Sequence, residues 1–225
     1  MYQFLFILLL MFVHPSSPEA FMKTPSAQVS IIDAVKNKQV EAVAAALEKG
    51  APVNTQDEDG KSLLLLATQT NQLKMVQLLV AHGADVNQQD NIQDSPFLYA
   101  GAAGYTDLVK LFLANGARFD VFNRYHGTAL IPACERGHIS VVKVLAHTPG
   151  FPIDHVNRLG WTALMEAVVL GDGSKIYVTI VQTLVDAGCN VNIPDNDGVT
   201  ALQHAKKRNF SAIAEVLEKA KHSTK

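Results

Sequence analysis

The segment "DNDGVTALQHA", Asp195–Ala205, combines a tight turn with the start of a helix. Thr200 is a preferred helix N-cap, because its hydroxyl accepts a hydrogen bond from an otherwise unpaired backbone N–H group. Four related segments precede it, and the first three recur every 33 residues: "DEDGKSLLLLA" (57–67), "DNIQDSPFLYA" (90–100), "NRYHGTALIPA" (123–133) and "NRLGWTALMEA" (157–167). Such a period indicates stacked repeats, each burying its apolar face against its neighbours.

A second pattern of the same period follows these segments. "MVQLLVAHGADVN" (75–87), "LVKLFLANGARFD" (108–120) and "IVQTLVDAGCNVN" (180–192) place apolar residues at helical spacing and stop at Gly. "VVKVLAHTPGFPID" (141–154) is a looser copy, and "SIIDAVKNKQVEAVAAALEKGAPVN" (30–54) contains the helix pair without the turn. The stretch "GDGSKIYVT" (171–179) inserts five residues and predicts a longer loop or a longer second helix.

Each first helix is predicted to be short and centred on Ala, so that neighbouring repeats approach closely. The predicted N-caps are Ser62, Ser95, Thr128, Thr162 and Thr200. The central residues are Ala67, Ala100, Ala133, Ala167 and Ala205. Leu, Val and Ile of the second helices supply the remaining core.

These segments resemble the ankyrin repeat, most closely at Asp195–Ala205. The resemblance implies an all-α ankyrin-repeat solenoid of about six helix-turn-helix repeats with β-turn fingers, over residues 28–221, followed by a tail at 222–225. Two departures are visible: only Pro96 keeps the family's proline, and the family's usual His after the Leu is replaced in every copy.

The first residues are typical of an export signal. "FLFILLLMFV", Phe4–Val13, is too short to span a bilayer but suits the apolar region of a signal peptide. We expect a signal peptide at 1–20, cleavage after Ala20, a linker at 21–27, and a periplasmic or secreted protein with no membrane partner after cleavage. The resemblance then extends to exported bacterial ankyrin proteins. An uncleaved anchor and a buried first helix are the alternatives.

The charge balance argues against a nucleic-acid partner. The chain has 19 Lys and Arg residues against 21 Asp and Glu residues, a net charge of −2. Binding to nucleic-acid phosphates generally requires a basic face.

The Gly-Lys-Ser sequence at 60–62 resembles the end of a phosphate-binding loop, but the rest of that loop is missing. Position 55, where the loop needs its first Gly, is Thr55, and Asp57 and Asp59 would repel phosphate. The same segment also resembles the start of a calcium loop, yet the twelfth position, where a bidentate Glu belongs, is Leu66. A turn is the favoured interpretation.

No metal, cofactor or catalytic site is predicted. The His residues are dispersed, and no pair stands at helical ligand spacing. Cys134 and Cys189 fall in different repeats, so we expect two free thiols rather than a disulfide. Cys134, Glu135 and His138 are neighbours in sequence, but on one short helix Cys134 should face inward and Glu135 outward. We therefore expect a non-enzymatic protein.

The resemblance implies a concave surface that binds another protein through turn tips and first helices. Trp, Tyr and Arg dominate binding energy at interfaces, and they concentrate in the two middle turns. The predicted protein-binding residues are Tyr99, Arg124, Tyr125, Glu135, Arg136, Arg158, Leu159, Trp161 and Glu166. Trp161 could instead pack on Arg124 or Tyr125 within the stack.

The function that follows is that of an exported, monomeric interaction scaffold with an unidentified protein partner. The alternative is a carrier of a small molecule such as haem, or an accessory factor to a stress-defence enzyme such as catalase. A carrier would need a cavity lined by convergent His, Cys or carboxylate side chains.

Overall fold

The computed structural model describes residues 30–223, which form twelve α-helices in six consecutive pairs. The predicted signal peptide (1–20), the linker (21–27) and the last two residues lie outside these described residues. The pairs are α1 (Ile31–Lys36) with α2 (Val40–Glu48), α3 (Leu63–Gln69) with α4 (Leu73–Ala81), α5 (Pro96–Ala103) with α6 (Thr106–Leu113), α7 (Leu130–Glu135) with α8 (Ile139–Ala146), α9 (Ala163–Val169) with α10 (Lys175–Asp186), and α11 (Ala201–Lys207) with α12 (Ser211–Ser223).

The turn that precedes each of the last five pairs is organised by its first residue. The Asn123 side-chain Oδ1 accepts the backbone N–H groups of Tyr125 and Gly127, both at 2.9 Å. The equivalent two bonds form at Asp57, Asp90, Asn157 and Asp195. These bonds explain why every copy begins with Asp or Asn, whose short side chains can bond to the backbone two residues further on.

The turns have the geometry of the predicted β-turn fingers. Isolated antiparallel bridges join Gln56 to Ser62 and Pro194 to Thr200. Within residues 30–223 the structure contains these bridges but no β-strand, so the all-α prediction is confirmed.

Four of the five predicted N-caps are confirmed. Ser62, Ser95, Thr162 and Thr200 each accept the backbone N–H three residues further on. The prediction for Thr128 is wrong, because α7 starts at Leu130 with Ala129 as its N-cap and no side-chain cap. In the other four repeats the fourth residue after the cap donates to the cap carbonyl, whereas Pro132 has no N–H group to donate to Thr128.

The core runs continuously through the stack. The five central Ala residues of α3, α5, α7, α9 and α11 are fully buried, and so are Leu79, Val142 and Leu184 of the second helices. The approach of α5 to the start of α7 is close, because a Cβ added to Gly101 would lie 2.7 Å from the Cβ of Ala129.

Hydrogen bonds from the following repeat satisfy carbonyl groups at the ends of several first helices. Such carbonyls have no partner within their own helix. In each bond a side chain of the later repeat donates to a backbone carbonyl of the earlier one: Gln72 to Val35 (3.2 Å), Arg136 to Ala102 (2.8 Å), Tyr177 to Glu135 (2.7 Å) and Arg208 to Val169 (2.6 Å).

The insertion at 171–179 lengthens the second helix of the fifth pair. Helix α10 has 12 residues, whereas α6 and α8 have 8 each. The additional first turn of α10 contains Tyr177, whose hydroxyl group donates to the last residue of α7. Over residues 30–223, every helix is too short or too polar to cross a bilayer.

Candidate functional site

A groove of about 540 Å³ lies between the turn tips and the first helices of the third to fifth pairs. The stacking of α5, α7 and α9 forms its floor, and the turns that begin at Asn123 and Asn157 form one wall. Most of the predicted binding residues line it: Tyr99, Arg124, Tyr125, Glu135, Arg136, Leu159 and Glu166.

The rim of the groove is apolar and exposed. Tyr125 and Leu159 each occupy the third position of a turn and are 53% and 50% exposed. Leu170, at the end of α9, is 48% exposed and also lines the groove. Large apolar side chains at this level of exposure, gathered around one concavity, are typical of an interaction site.

Positive charge lies on the α5 side of the groove. The Arg124 guanidinium is 3.9 Å from the Asp94 carboxylate, and Arg136 donates to the Ala102 carbonyl. Burial raises the pKa of Asp94, and the nearby Asp90 adds to this effect, whereas the charges of Arg124 and Arg136 oppose it. The two arginines are therefore already engaged with groups of the protein.

Negative charge lies on the α9 side. Glu166 is only 4% exposed, and its Oε1 accepts a hydrogen bond of 3.0 Å from Asn157 Nδ2. Burial raises the pKa of Glu166 to about 7, and the neighbouring Glu135 adds to the increase, although the bond from Asn157 opposes it. Glu166 is consequently a carboxyl group that ionises near neutral pH.

Arg158 and Trp161 lie outside the groove lining. Arg158 donates from its backbone to the Tyr125 carbonyl (2.9 Å) and from its guanidinium to the Arg124 carbonyl (2.9 Å), so it joins two adjacent turns. Trp161 is partly buried against the core. The binding role of Arg158 and Trp161 therefore stays a prediction.

Sequence reasoning missed three residues that shape the site. Asn157 was treated only as a turn residue, although it also holds the Glu166 carboxyl group. Leu170 could have been predicted as a site residue, since it is an apolar residue at the end of a first helix just before the insertion. Tyr177 lies inside the insertion, and its bond to the Glu135 carbonyl depends on the added turn of α10.

The two cysteines, Cys134 and Cys189, are free thiols. Cys134 is buried and Cys189 is partly buried. Burial raises the pKa of Cys134 well above its usual range and that of Cys189 to about 12, so both are protonated at neutral pH.

Across residues 30–223 no three His, Cys, Asp or Glu side chains are arranged to hold a metal ion.

Comparison with protein-family models identifies the repeats. The model described as ankyrin repeats (3 copies) matches residues 9–90, 31–123 and 97–195, which together exceed half of the chain. The chain belongs to the ankyrin-repeat family. Ankyrin-repeat proteins are typically non-enzymatic and commonly mediate protein–protein interactions, so the groove is a candidate binding surface.

Two solved ankyrin-repeat structures are similar over most of this chain. An ankyrin repeat domain from Acinetobacter baumannii AYE is 44% identical, with a TM-score of 0.82, over 85% of this chain and 97% of that one. The ankyrin repeat protein EF0377 is 36% identical, with a TM-score of 0.81, over 84% and 96% of the two chains.

A curated relative is similar over a shorter region. The Escherichia coli (strain K12) protein YahD, named as an ankyrin repeat protein, is 44% identical over 95 residues, or 42% of this chain. The matched region spans 47% of that relative, so this chain covers about half of its length.

Proposed function

We propose that this ankyrin-repeat protein is a non-enzymatic scaffold that binds one partner protein in the groove between its turn tips and first helices. The observation that carries the proposal is the exposed apolar rim of Tyr125, Leu159 and Leu170 around a concavity with charged walls. Trp, Tyr and Arg side chains supply most of the binding free energy at protein interfaces, and Arg124 and Tyr125 are of these types. The protein acts as a monomer in this proposal.

The groove fits a protein partner better than haem. Its lining contains no His, Cys or Met, so Tyr99 and Tyr125 are the lining residues of a type that ligates haem iron. The side chains that converge on it include Tyr and Arg, two residue types that are enriched at protein interfaces.

Site-specific photo-crosslinking tests the proposal. A benzophenone amino acid replaces Tyr125 in one variant and Lys110, an exposed residue of the second helix α6, in a control variant. After irradiation in the native compartment, we expect a discrete crosslinked protein only from position 125. The same products from both positions, or crosslinks from position 110 alone, would contradict groove binding.

We further propose that the chain is exported and processed, to the periplasm or outside the cell. The apolar run Phe4–Val13, followed by small residues up to Ala20, supports this proposal. N-terminal sequencing of the native protein should begin near Phe21. A native protein that starts at Met1 would refute processing.

A further inference from the structure

We propose that the partner inserts a basic side chain, Arg or Lys, between Glu135 and Glu166 at the α9 side of the groove. This inference rests on the proposed function and adds the chemistry of the partner. It predicts a partner segment with a cation at its centre and apolar residues beside it.

Glu166 is the first support. Its side chain is almost entirely buried and lines the groove, yet the structure gives its carboxyl group one hydrogen bond, from Asn157 to Oε1. Within residues 30–223 no Lys or Arg forms an ion pair with Glu166 or with Glu135. A buried carboxylate without a paired cation is costly, and a cation supplied by a partner would offset that cost.

The position of Glu135 is the second support. Tyr177 of the inserted helical turn donates to the Glu135 backbone carbonyl at 2.7 Å, which fixes the end of α7. Glu135 and Glu166 both line the groove, and the charge of Glu135 raises the pKa of Glu166. Two carboxyl groups on the same groove can both accept hydrogen bonds from one guanidinium group.

The charged side chains that line the groove do not cancel when Glu166 is ionised. Arg124 lies beside Asp94, and Arg136 is bonded to the Ala102 carbonyl. Three carboxyl groups line the groove against two guanidinium groups, so the excess charge is negative when Glu166 is ionised. Charge complementarity therefore favours a basic partner segment over an acidic one.

The apolar rim suits the rest of such a segment. Tyr125, Leu159 and Leu170 lie at the edge of the same groove. The methylene groups of a Lys or Arg side chain can lie along apolar surface while the charged end reaches the carboxylates. One segment can therefore contact both the rim and the carboxyl pair.

Binding of this kind depends on pH through Glu166. Glu135 and Cys134 of α7 interact electrostatically with Glu166, and Arg136 lines the same groove. The other helices packed on α9 are α10, which carries Tyr177, and α11, which carries His204 and is followed by Arg208. His204 is bonded to Asp195 at 2.6 Å, and Arg208 to the Val169 and Gly171 carbonyls. Since the Glu166 pKa is about 7, the ionised fraction of the free protein falls from about 0.9 at pH 8 to about 0.1 at pH 6.

The test is selection from a random peptide library displayed on phage, with the 21–225 protein immobilised at pH 8. Enriched peptides should contain Arg or Lys next to apolar residues. A synthetic His-free peptide is then titrated by fluorescence anisotropy. Its affinity should fall at least about tenfold for Glu166→Gln, and similarly when its basic residue is replaced by norleucine. Glu58→Gln, an exposed control at a distant turn, should leave the affinity unchanged.

A second readout separates recognition by charge from a structural effect. The wild-type affinity should fall about tenfold from pH 8 to pH 6, whereas Glu166→Gln should show no such change. Glu135→Gln provides an independent variant and should also weaken binding.

The outcomes distinguish the two proposals. Peptides that lack a basic residue, or that bind Glu166→Gln and Glu135→Gln as tightly as wild type, overturn the basic-partner inference and leave groove binding intact. Failure to enrich any peptide counts against both proposals, and so do peptides that bind equally well to a Tyr125→Ala, Leu159→Ala double variant.

Discussion

Replacing Glu166 by Gln should stabilise the protein at alkaline pH. The folded protein raises the pKa of this carboxyl group from 4.5 to about 7. The group therefore stabilises the fold when protonated, and this stability is lost as the pH rises from the unfolded pKa through the folded pKa. If the whole pKa shift acted on stability, ionised Glu166 would lower the free energy of unfolding by about 3 kcal/mol, because each pKa unit corresponds to about 1.4 kcal/mol.

The expected gain is somewhat smaller, because the groove is open to solvent. Solvent screening reduces the cost of the ionised group, so we expect Glu166→Gln to raise the free energy of unfolding by about 2 kcal/mol at pH 8. The gain should shrink to a few tenths of a kcal/mol at pH 4.5, where the wild-type group is protonated in the folded state. The amide can keep its oxygen as the acceptor for Asn157.

Urea denaturation of both proteins at pH 8 and pH 4.5, followed by circular dichroism, measures this difference. Glu58→Gln is the matched control, since Glu58 is exposed, and it should change stability by less than about 0.5 kcal/mol at either pH. If Glu166→Gln destabilises the protein at pH 8, or changes stability equally at both pH values, the account of a buried, uncompensated carboxylate is refuted.

Three further variants test the packing. Leu164→Ala removes a side chain that is 3% exposed and should lower the free energy of unfolding by about 3 kcal/mol in the same assay, with a loss below about 1 kcal/mol arguing against tight stacking. Gly101→Ala should cost about 1–3 kcal/mol, because its Cβ would meet Ala129, and a neutral result would show that α5 and α7 can separate. Trp161→Ala should destabilise the protein by about 2 kcal/mol but change peptide affinity less than about twofold, because Trp161 packs against the core. If Trp161→Ala instead weakens peptide binding and leaves stability unchanged, Trp161 is part of the binding surface.

The parts of the fold that depend on local signals could be predicted from the sequence. The turn at Asn123 and the cap at Thr162 each need only a few neighbouring residues, and both are found in the structure. Thr128 shows the limit of this reasoning. Its sequence position matches the other caps, but Pro132 removes the N–H group that would start the helix at that point.

The candidate site was harder to predict because it depends on contacts between repeats. The sequence placed Glu166 on the concave surface, but its burial and its raised pKa arise only when α7 and α9 stack and Asn157 bonds to it. For Trp161 the sequence left two alternatives open, a binding residue and a residue packed within the stack. Its position in a turn suggested exposure, and packing against the core reduces that exposure.

The helix-end hydrogen bonds give the stack a direction. In each case the donor belongs to the later repeat and the acceptor is a carbonyl of the earlier one, as with Gln72 and Val35 or Arg208 and Val169. Deleting the first helix pair would leave the Gln72 side chain free to reorient towards water. Deleting the last pair would leave the Val169 and Gly171 carbonyls at a newly cut end without the Arg208 guanidinium. Truncation should therefore be tolerated better at the amino-terminal end. During synthesis on the ribosome, each new repeat would supply the donors for the helix-end carbonyls of the repeat made before it.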